Sequence, residues 1–293
     1  MPTNNAEFAL DNVFNVEGRV AVITGGGSGL GLMAAQALAV NGAKVYIIGR
    51  TEAKLKRAVD AHGHGIKGSL VPIVGDVSRK DDIQRLVTEL EAQEDHLDIL
   101  INNAGIYSNQ QKPEGSTAEQ VKHNLFDADN ATFENWTSVY ATNVAAIYFV
   151  TTALLPLLQR ASHARPGQTS TVINISSING LIKESLSRFA SNAAKAATIH
   201  LTKMLAVEIA NCRLAIRVNS IAPGLFPSEI TTGTSDECQK SSLPPGTCSD
   251  ISAGRPGTDV DMASAILFAA TNQYLNGQII AVDGGYLVKY GTL

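Results

Sequence analysis

The chain is poor in the residues that mark several function classes. It has three cysteines, Cys212, Cys238 and Cys248, in 293 residues. None forms a CxxC pair, so a zinc site has no ligand pattern and no metal is expected. Cys238 and Cys248 share one polar stretch and are expected to stay as thiols in a reducing compartment. Charged residues make up only 17% and the formal net charge is -4. That balance lacks the basic surface that nucleic acid or an anionic membrane attracts. No apolar run reaches the ~18 residues of a membrane span. Residues 1–16 lack the basic and apolar parts of a signal peptide. A cytoplasmic protein with a small-molecule partner is the expectation. A last absence bears on chemistry: no tyrosine lies between Tyr148 and Tyr274.

What is present is alternation. Short β-branched runs at 20–23, 44–49, 70–74, 98–102, 171–175, 217–221 and 278–282 read as strands. Helical spacing separates several of them, at 30–40, 52–61, 80–91, 136–158 and 193–209. Strands apolar on both faces, alternating with helices, predict a parallel seven-stranded sheet covered on both sides. The fold class is therefore α/β, a doubly wound Rossmann-type sheet. No composition break divides residues 1–293, so one domain is expected. Two polar stretches, 106–135 and 225–258, exceed ordinary loop length and are placed over the carboxyl ends of the strands, where ligands bind in such sheets. They supply Tyr107, Phe126, Leu225, Phe226, Ile230 and Leu243 as apolar contacts for a fairly large, partly apolar substrate, or as cover for the core.

The segment TGGGSGLG, from Thr24 to Gly31, lies between the first strand and the first helix. Gly25 permits the tight turn, Gly29 a close approach of pyrophosphate to a helix N-terminus, and Gly31 close packing of helix on strand. The second strand ends in Gly49-Arg50 without the acid that would hold the ribose hydroxyl of NAD. Arg50, with Thr51 and Lys54 nearby, fits a 2′-phosphate instead, so NADP(H) is the expected cofactor.

With GDV (Gly75–Val77), NNAG (Asn102–Gly105), Asn143 in ATNV, NISS (Asn174–Ser177), Lys195 in SNAAK, IAPG (Ile221–Gly224) and VDGG (Val282–Gly285), the chain resembles the short-chain dehydrogenase/reductase family. The motifs come in family order over residues 18–287. The composite is most similar to fungal secondary-metabolism or 3-oxoacyl-reductase-like members. The resemblance implies that Gly25, Gly27, Ser28, Gly29, Leu30 and Gly31 form the pyrophosphate loop. It places Asp76 and Val77 at the adenine, and Asn102, Asn103, Ala104 and Gly105 along the cofactor ribose and sheet edge. Pro223 and Gly224 would close over the nicotinamide. Lys195 would hold the nicotinamide ribose, Asn143 would anchor a relay water, and Ser177 would polarise the substrate carbonyl.

The departure is Ser191, which stands four residues before Lys195 where the resemblance leads one to expect the acid/base tyrosine. Ser191 joins Ser177, Lys195 and Asn143 as the candidate catalytic set. A serine hydroxyl is far less acidic than a phenol with its pKa of about 10. Substitutes for the missing acid are a water held by Ser191 and Lys195, Tyr107, or a group on the substrate. Three readings stay open: an NADP(H)-dependent oxidoreductase with a substitute acid, a non-redox cyclase, isomerase or rearrangement catalyst that keeps the cofactor pocket, and a non-catalytic member. A Ser191→Tyr change is expected to raise carbonyl reduction. The apolar segments 136–158 and 193–209 predict a homodimer or homotetramer.

Overall fold

Alternating side chains of each central strand enter two separate cores in the computed structural model, which describes residues 4–165 and 167–292. The first strand, β1 (Val20–Thr24), follows a 3₁₀ turn (Asn5–Phe8) and a one-turn helix, α1 (Leu10–Val13). In β1, Ala21 and Ile23 point into one core while Val20 and Val22 point into the other. That two-sided burial is why these strands read as continuous apolar runs.

The chain continues through α2 (Gly29–Val40), β2 (Lys44–Gly49), α3 (Glu52–His62), β3 (Ser69–Val74), α4 (Lys80–Glu91) and β4 (Ile99–Asn102). Next come α5 (Ala118–Leu125), α6 (Phe133–Tyr140), a π turn (Ala141–Ala145), α7 (Ala146–Ala164) and β5 (Ser170–Ile175). A 3₁₀ turn (Ile178–Gly180), α8 (Phe189–Asn211), β6 (Ile216–Pro223), α9 (Glu229–Thr232), α10 (Asp259–Thr271), β7 (Ile279–Val282) and α11 (Tyr286–Tyr290) complete it. All seven strands are parallel, in the order β3-β2-β1-β4-β5-β6-β7. The order reverses between β1 and β4, which opens a crevice at their carboxyl ends. This is the single doubly wound α/β domain that the alternation predicts; its limits at residues 1 and 293 fall outside the described residues.

Several elements differ from the sequence expectation. α10 was not predicted. It is apolar around much of its circumference, with Met262, Ala265, Ile266, Ala269 and Ala270 buried, so no amphipathic stripe announces it. Its one local signal is the capping box of Thr258 and Asp261. The long stretch 106–135 contains α5, and 225–258 contains α9. α6, the π turn and α7 run on as one helix, Phe133–Ala164, with a mean hydropathy of 1.6 over its most apolar stretch. It is long and apolar enough to cross a membrane by length and composition, contrary to the expectation that no segment is. Its apolarity has a structural account, because Ile147, Val150, Leu154, Leu157 and Leu158 are buried in the second core beside α4 and the sheet. The three cysteines are free thiols.

Candidate active site

The turn after β1 is built for a close approach. Gly25 and Gly29 take φ of +66° and +52°, which side-chain-bearing residues rarely adopt. A Cβ on Gly31 would lie 2.2 Å from the Gly25 carbonyl oxygen, so only glycine lets α2 start this near the strand. Ser28 is the extended N-cap of α2 but makes no side-chain cap bond. The first N–H groups of the helix therefore face the crevice without a capping side chain, as an anion site requires. Asn103 fixes this loop by donating its amide to the carbonyls of Thr24 (3.1 Å) and Gly25 (3.0 Å). The Thr24 hydroxyl accepts from the backbone N–H of Asn103 and of Ala104, each at 3.0 Å. Beneath it, Asn102 donates to Thr151 (3.0 Å) and Asn174 (2.9 Å), and Asn174 donates to Thr202 (2.9 Å). This buried chain ties β4 and β5 to α7 and α8.

A cavity of about 230 Å³ opens at the crevice. Gly25, Ser28, Gly29, Leu30, Asn103, Ala104, Gly105, Pro223 and Gly224 line it together with Ser177 and Lys195. The sequence thus names residues from five separate segments that the fold brings to one place. Gly27 and Gly31 back the loop instead, where a Cβ on Gly27 would press on Leu55.

Ser177 lies in extended backbone, and its hydroxyl oxygen accepts the Asn179 N–H at 3.1 Å. Its own proton is left to donate into the cavity. Lys195 donates from Nζ to the Ile175 carbonyl at 2.8 Å. Although its stem is partly open to the cavity, burial of the ammonium pushes its pKa down to about 8.

Other candidates do not line the cavity themselves. Ser191 is buried outside the cavity lining, and its hydroxyl accepts the backbone N–H of Ser108 at 2.5 Å. Asn143, in the π turn, exchanges two hydrogen bonds with the backbone of Ile106, at 2.8 and 2.9 Å. Its own backbone carbonyl accepts from Thr198 at 2.8 Å. The Val77 side chain belongs to the second core. The Asp76 carboxylate caps its own turn, accepting from the N–H (2.9 Å) and hydroxyl (2.6 Å) of Ser78. Burial would raise its pKa, but those bonds and the charges of Arg50 and Arg79 outweigh it and hold the carboxyl below its ordinary value. Arg50 is exposed at the end of β2.

Residues absent from the sequence prediction complete the site. Glu229, at the start of α9, pairs with Lys54 through both oxygens at 2.8 Å and accepts from Ser28 at 3.4 Å. Ser228, Glu229, Ile230 and Thr231 roof the cavity, so the stretch 225–258 does lie over the strand ends. Phe226 and Ile230 line the same cavity, while Leu225 lines a smaller neighbouring one. Phe126 lines a separate cleft of about 520 Å³ with Phe133, Trp136 and Phe189. Leu243 is half-buried away from these cavities. Arg188 stacks its guanidinium 4.5 Å from the centre of the Tyr107 ring. A local motif could not have named Glu229 or Arg188, because each acts on a distant segment.

A short chain dehydrogenase family pattern matches residues 19–239. The short-chain dehydrogenase/reductase PhomF of Diaporthe leptostromiformis is 36% identical over 281 residues, covering 94% of each chain. The 3-oxoacyl-[acyl-carrier-protein] reductase FabG of Chlamydia muridarum is 34% identical over 274 residues, covering 91% of this chain and 96% of its own. The structure of a Pseudomonas aeruginosa RhlG/NADP active-site complex superposes with a TM-score of 0.76 at 31% identity, covering 94% of this chain and 98% of the other. With the glycine loop, the crevice and the Ser177–Lys195 cavity in the same frame, the chain belongs to the short-chain dehydrogenase family of oxidoreductases.

Proposed function

We propose that this chain is an NADP(H)-dependent reductase acting on a ketone/alcohol pair, or on an activated C=N or C=C group, of a medium-to-large, partly apolar metabolite. The observation that carries the reading is that one cavity holds the uncapped N-terminus of α2, the Ser177 hydroxyl and the Lys195 ammonium. The residues fit a nicotinamide dinucleotide. Gly25, Ser28, Gly29 and Leu30 would hold the pyrophosphate, Asn103, Ala104 and Gly105 the ribose side, and Pro223 and Gly224 the nicotinamide end. When bound, the cofactor supplies the hydride. The protein's own part is to orient the acceptor by a hydrogen bond from Ser177, to place positive charge at Lys195, and to exclude water under α9. The relatives' names support a carbonyl substrate, since one is a 3-oxoacyl reductase. We also propose a role in secondary metabolism, and we assign the protein to the cytoplasm. Following NADPH absorbance with a panel of ketones, imines and conjugated enones tests the reading. Consumption that depends on the acceptor supports it, and none with any acceptor removes it.

One observation favours a second reading, a non-redox enzyme that keeps the cofactor as a scaffold. The Ser191 hydroxyl is directed to Ser108 instead of toward the substrate. Under that reading product forms while NADPH is not consumed.

Cofactor choice rests on Arg50. Its loss should weaken NADPH by about 1.5–3 kcal/mol, the scale of a hydrogen bond to a charged group, and leave NADH binding nearly unchanged. Calorimetric titration of wild type and Arg50→Ala reads this directly. Glu229→Gln should move NADPH affinity the other way, because it removes the carboxylate that pairs with Lys54. Equal wild-type affinities for NADPH and NADH would take Arg50 out of its role.

We also propose a homodimer or homotetramer. Tyr148 and Phe149 on α7 and Met204 and Val207 on α8 are each exposed despite their apolar surface. Light scattering at micromolar concentration should give at least twice the 30.9 kDa chain mass. A monomer, unchanged by Met204→Asp, would contradict it.

A further inference from the structure

Tyr107 lines the cavity that contains Ser177 and Lys195. Residues on both sides of it are fixed by side chains from other elements. Ile106 is held through its N–H and its carbonyl by Asn143, at 2.8 and 2.9 Å. Ser108 is held through its N–H by Ser191, at 2.5 Å, and through its carbonyl by Arg188, at 2.9 Å. A fifth bond, from the Gln111 N–H to the Ser187 carbonyl at 2.8 Å, fastens the same strap further along. The turn that presents Arg188 is itself strained, with Leu186 and Ser187 at φ of +47° and +60°. Non-glycine residues persist there only when their surroundings fix them. Asn143 and Ser191, both expected in the catalytic set, thus converge instead on the two neighbours of one tyrosine.

We propose that Tyr107 is the proton donor and acceptor of this site, with Asn143, Ser191 and Arg188 as its positioning residues. The proposal rests on the reductase reading above. In the reducing direction the hydride forms a C–H bond at the carbonyl carbon and the carbonyl π pair moves to oxygen. The Tyr107 O–H bond breaks and its proton goes to that oxygen, giving the alcohol. NADPH is oxidised to NADP⁺ and the carbonyl is reduced. The phenolate left behind has the Arg188 guanidinium stacked on its ring and recovers its proton from water. Burial pushes the Tyr107 phenol up, and the Arg188 charge acts against that rise. Lys195 and Glu229 line the same cavity and are the other charged groups that face it. A tyrosine at the cavity wall whose two neighbours are clamped meets the first requirement for a general acid, which is position before pKa.

The test uses Tyr107→Phe, which keeps the ring stacked on Arg188. The turnover number should fall by ~10²–10⁴-fold, the usual contribution of a general acid. KM and calorimetric NADPH affinity should stay within about threefold, since uniform binding is not what the hydroxyl provides. A readout independent of activity is the ultraviolet ionisation of the phenol, taken as wild type minus Tyr107→Phe. Arg188→Met should move that ionisation upward by about one pH unit, through loss of an adjacent cation. Wild-type turnover that survives Tyr107→Phe within threefold overturns the donor and leaves the reductase reading standing. An ionisation that Arg188→Met does not move overturns the positioning role of Arg188. A wild type with no turnover on any acceptor removes the reductase reading and, with it, the donor.

Discussion

Replacing Lys195 with methionine should lower NADPH-dependent turnover by on the order of 10²–10³-fold, the scale for removing one preorganised electrostatic group. The same change should abolish a pH dependence expected of the wild type near pH 8. Burial lowers the Lys195 pKa from 10.5 to about 8. Below about 8 the cavity carries its positive charge, and an anionic cofactor is favoured. As pH rises through that value the charge leaves and affinity should fall. Calorimetric titration of NADPH on either side of pH 8 should show the fall in wild type and not in Lys195→Met. Stability runs the opposite way. Between about 8 and 10.5 the unfolded chain binds more protons at this lysine than the folded protein does. Wild-type stability therefore gains with pH across that window, by the linkage relation. Lys195→Met should lack this gain. A methionine variant with the wild-type pH profile would show that the titrating group lies elsewhere.

Ser191→Tyr should cost stability and native turnover together. For carbonyl reduction the sequence expectation has the opposite sign, because it puts the new phenol in an open slot between Ser177 and Lys195. The structure fills that slot. Ser191 is 2% exposed and its oxygen is 2.5 Å from the Ser108 nitrogen. A phenol must push residues 107 and 108 aside, and overpacking of this kind typically costs about 1–3 kcal/mol. The Ser108 N–H then loses its acceptor, which adds about 1–3 kcal/mol if it stays buried. For a chain of this size each kcal/mol is worth about 2–4 °C, so the midpoint should drop by on the order of 10 °C. Thermal melts of Ser191→Tyr beside Ser191→Ala, assayed on the same ketone panel, separate the two accounts. A stable Ser191→Tyr protein with faster ketone reduction would restore the sequence expectation and remove the clamp from the mechanism.

The sheet was legible because its strands are buried on both faces. β2 runs from Lys44 to Gly49 as the apolar run does, with four consecutive residues buried between its ends. α10 was not legible, since its exposed face carries apolar Val260 and Phe268 and so leaves no amphipathic period, and Thr258–Asp261 was its only punctuation. In the site, the glycine loop was legible because its demands are local: positive φ at Gly25 and a close approach at Gly31. Ser177 and Lys195 were placed correctly at the cavity by their motifs. The partners that Asn143 and Ser191 take were not legible, because they are backbone groups 37 and 83 residues away. No spacing rule reaches that far. Val77 and Asp76 also have local structural duties that their motif does not announce. The turn after β3 uses one for the core and the other for its own cap.

The central claim, net reduction in the cavity shared by Ser177, Lys195 and Tyr107, is tested most directly by isotope transfer. NADPH deuterated at its transferable hydride is incubated with the protein and a turned-over acceptor, and the product is weighed by mass spectrometry. The account predicts one deuterium in each product molecule and one NADPH oxidised for each product formed. Unlabelled product, formed while NADPH stays intact, would contradict it and assign the cavity to non-redox chemistry.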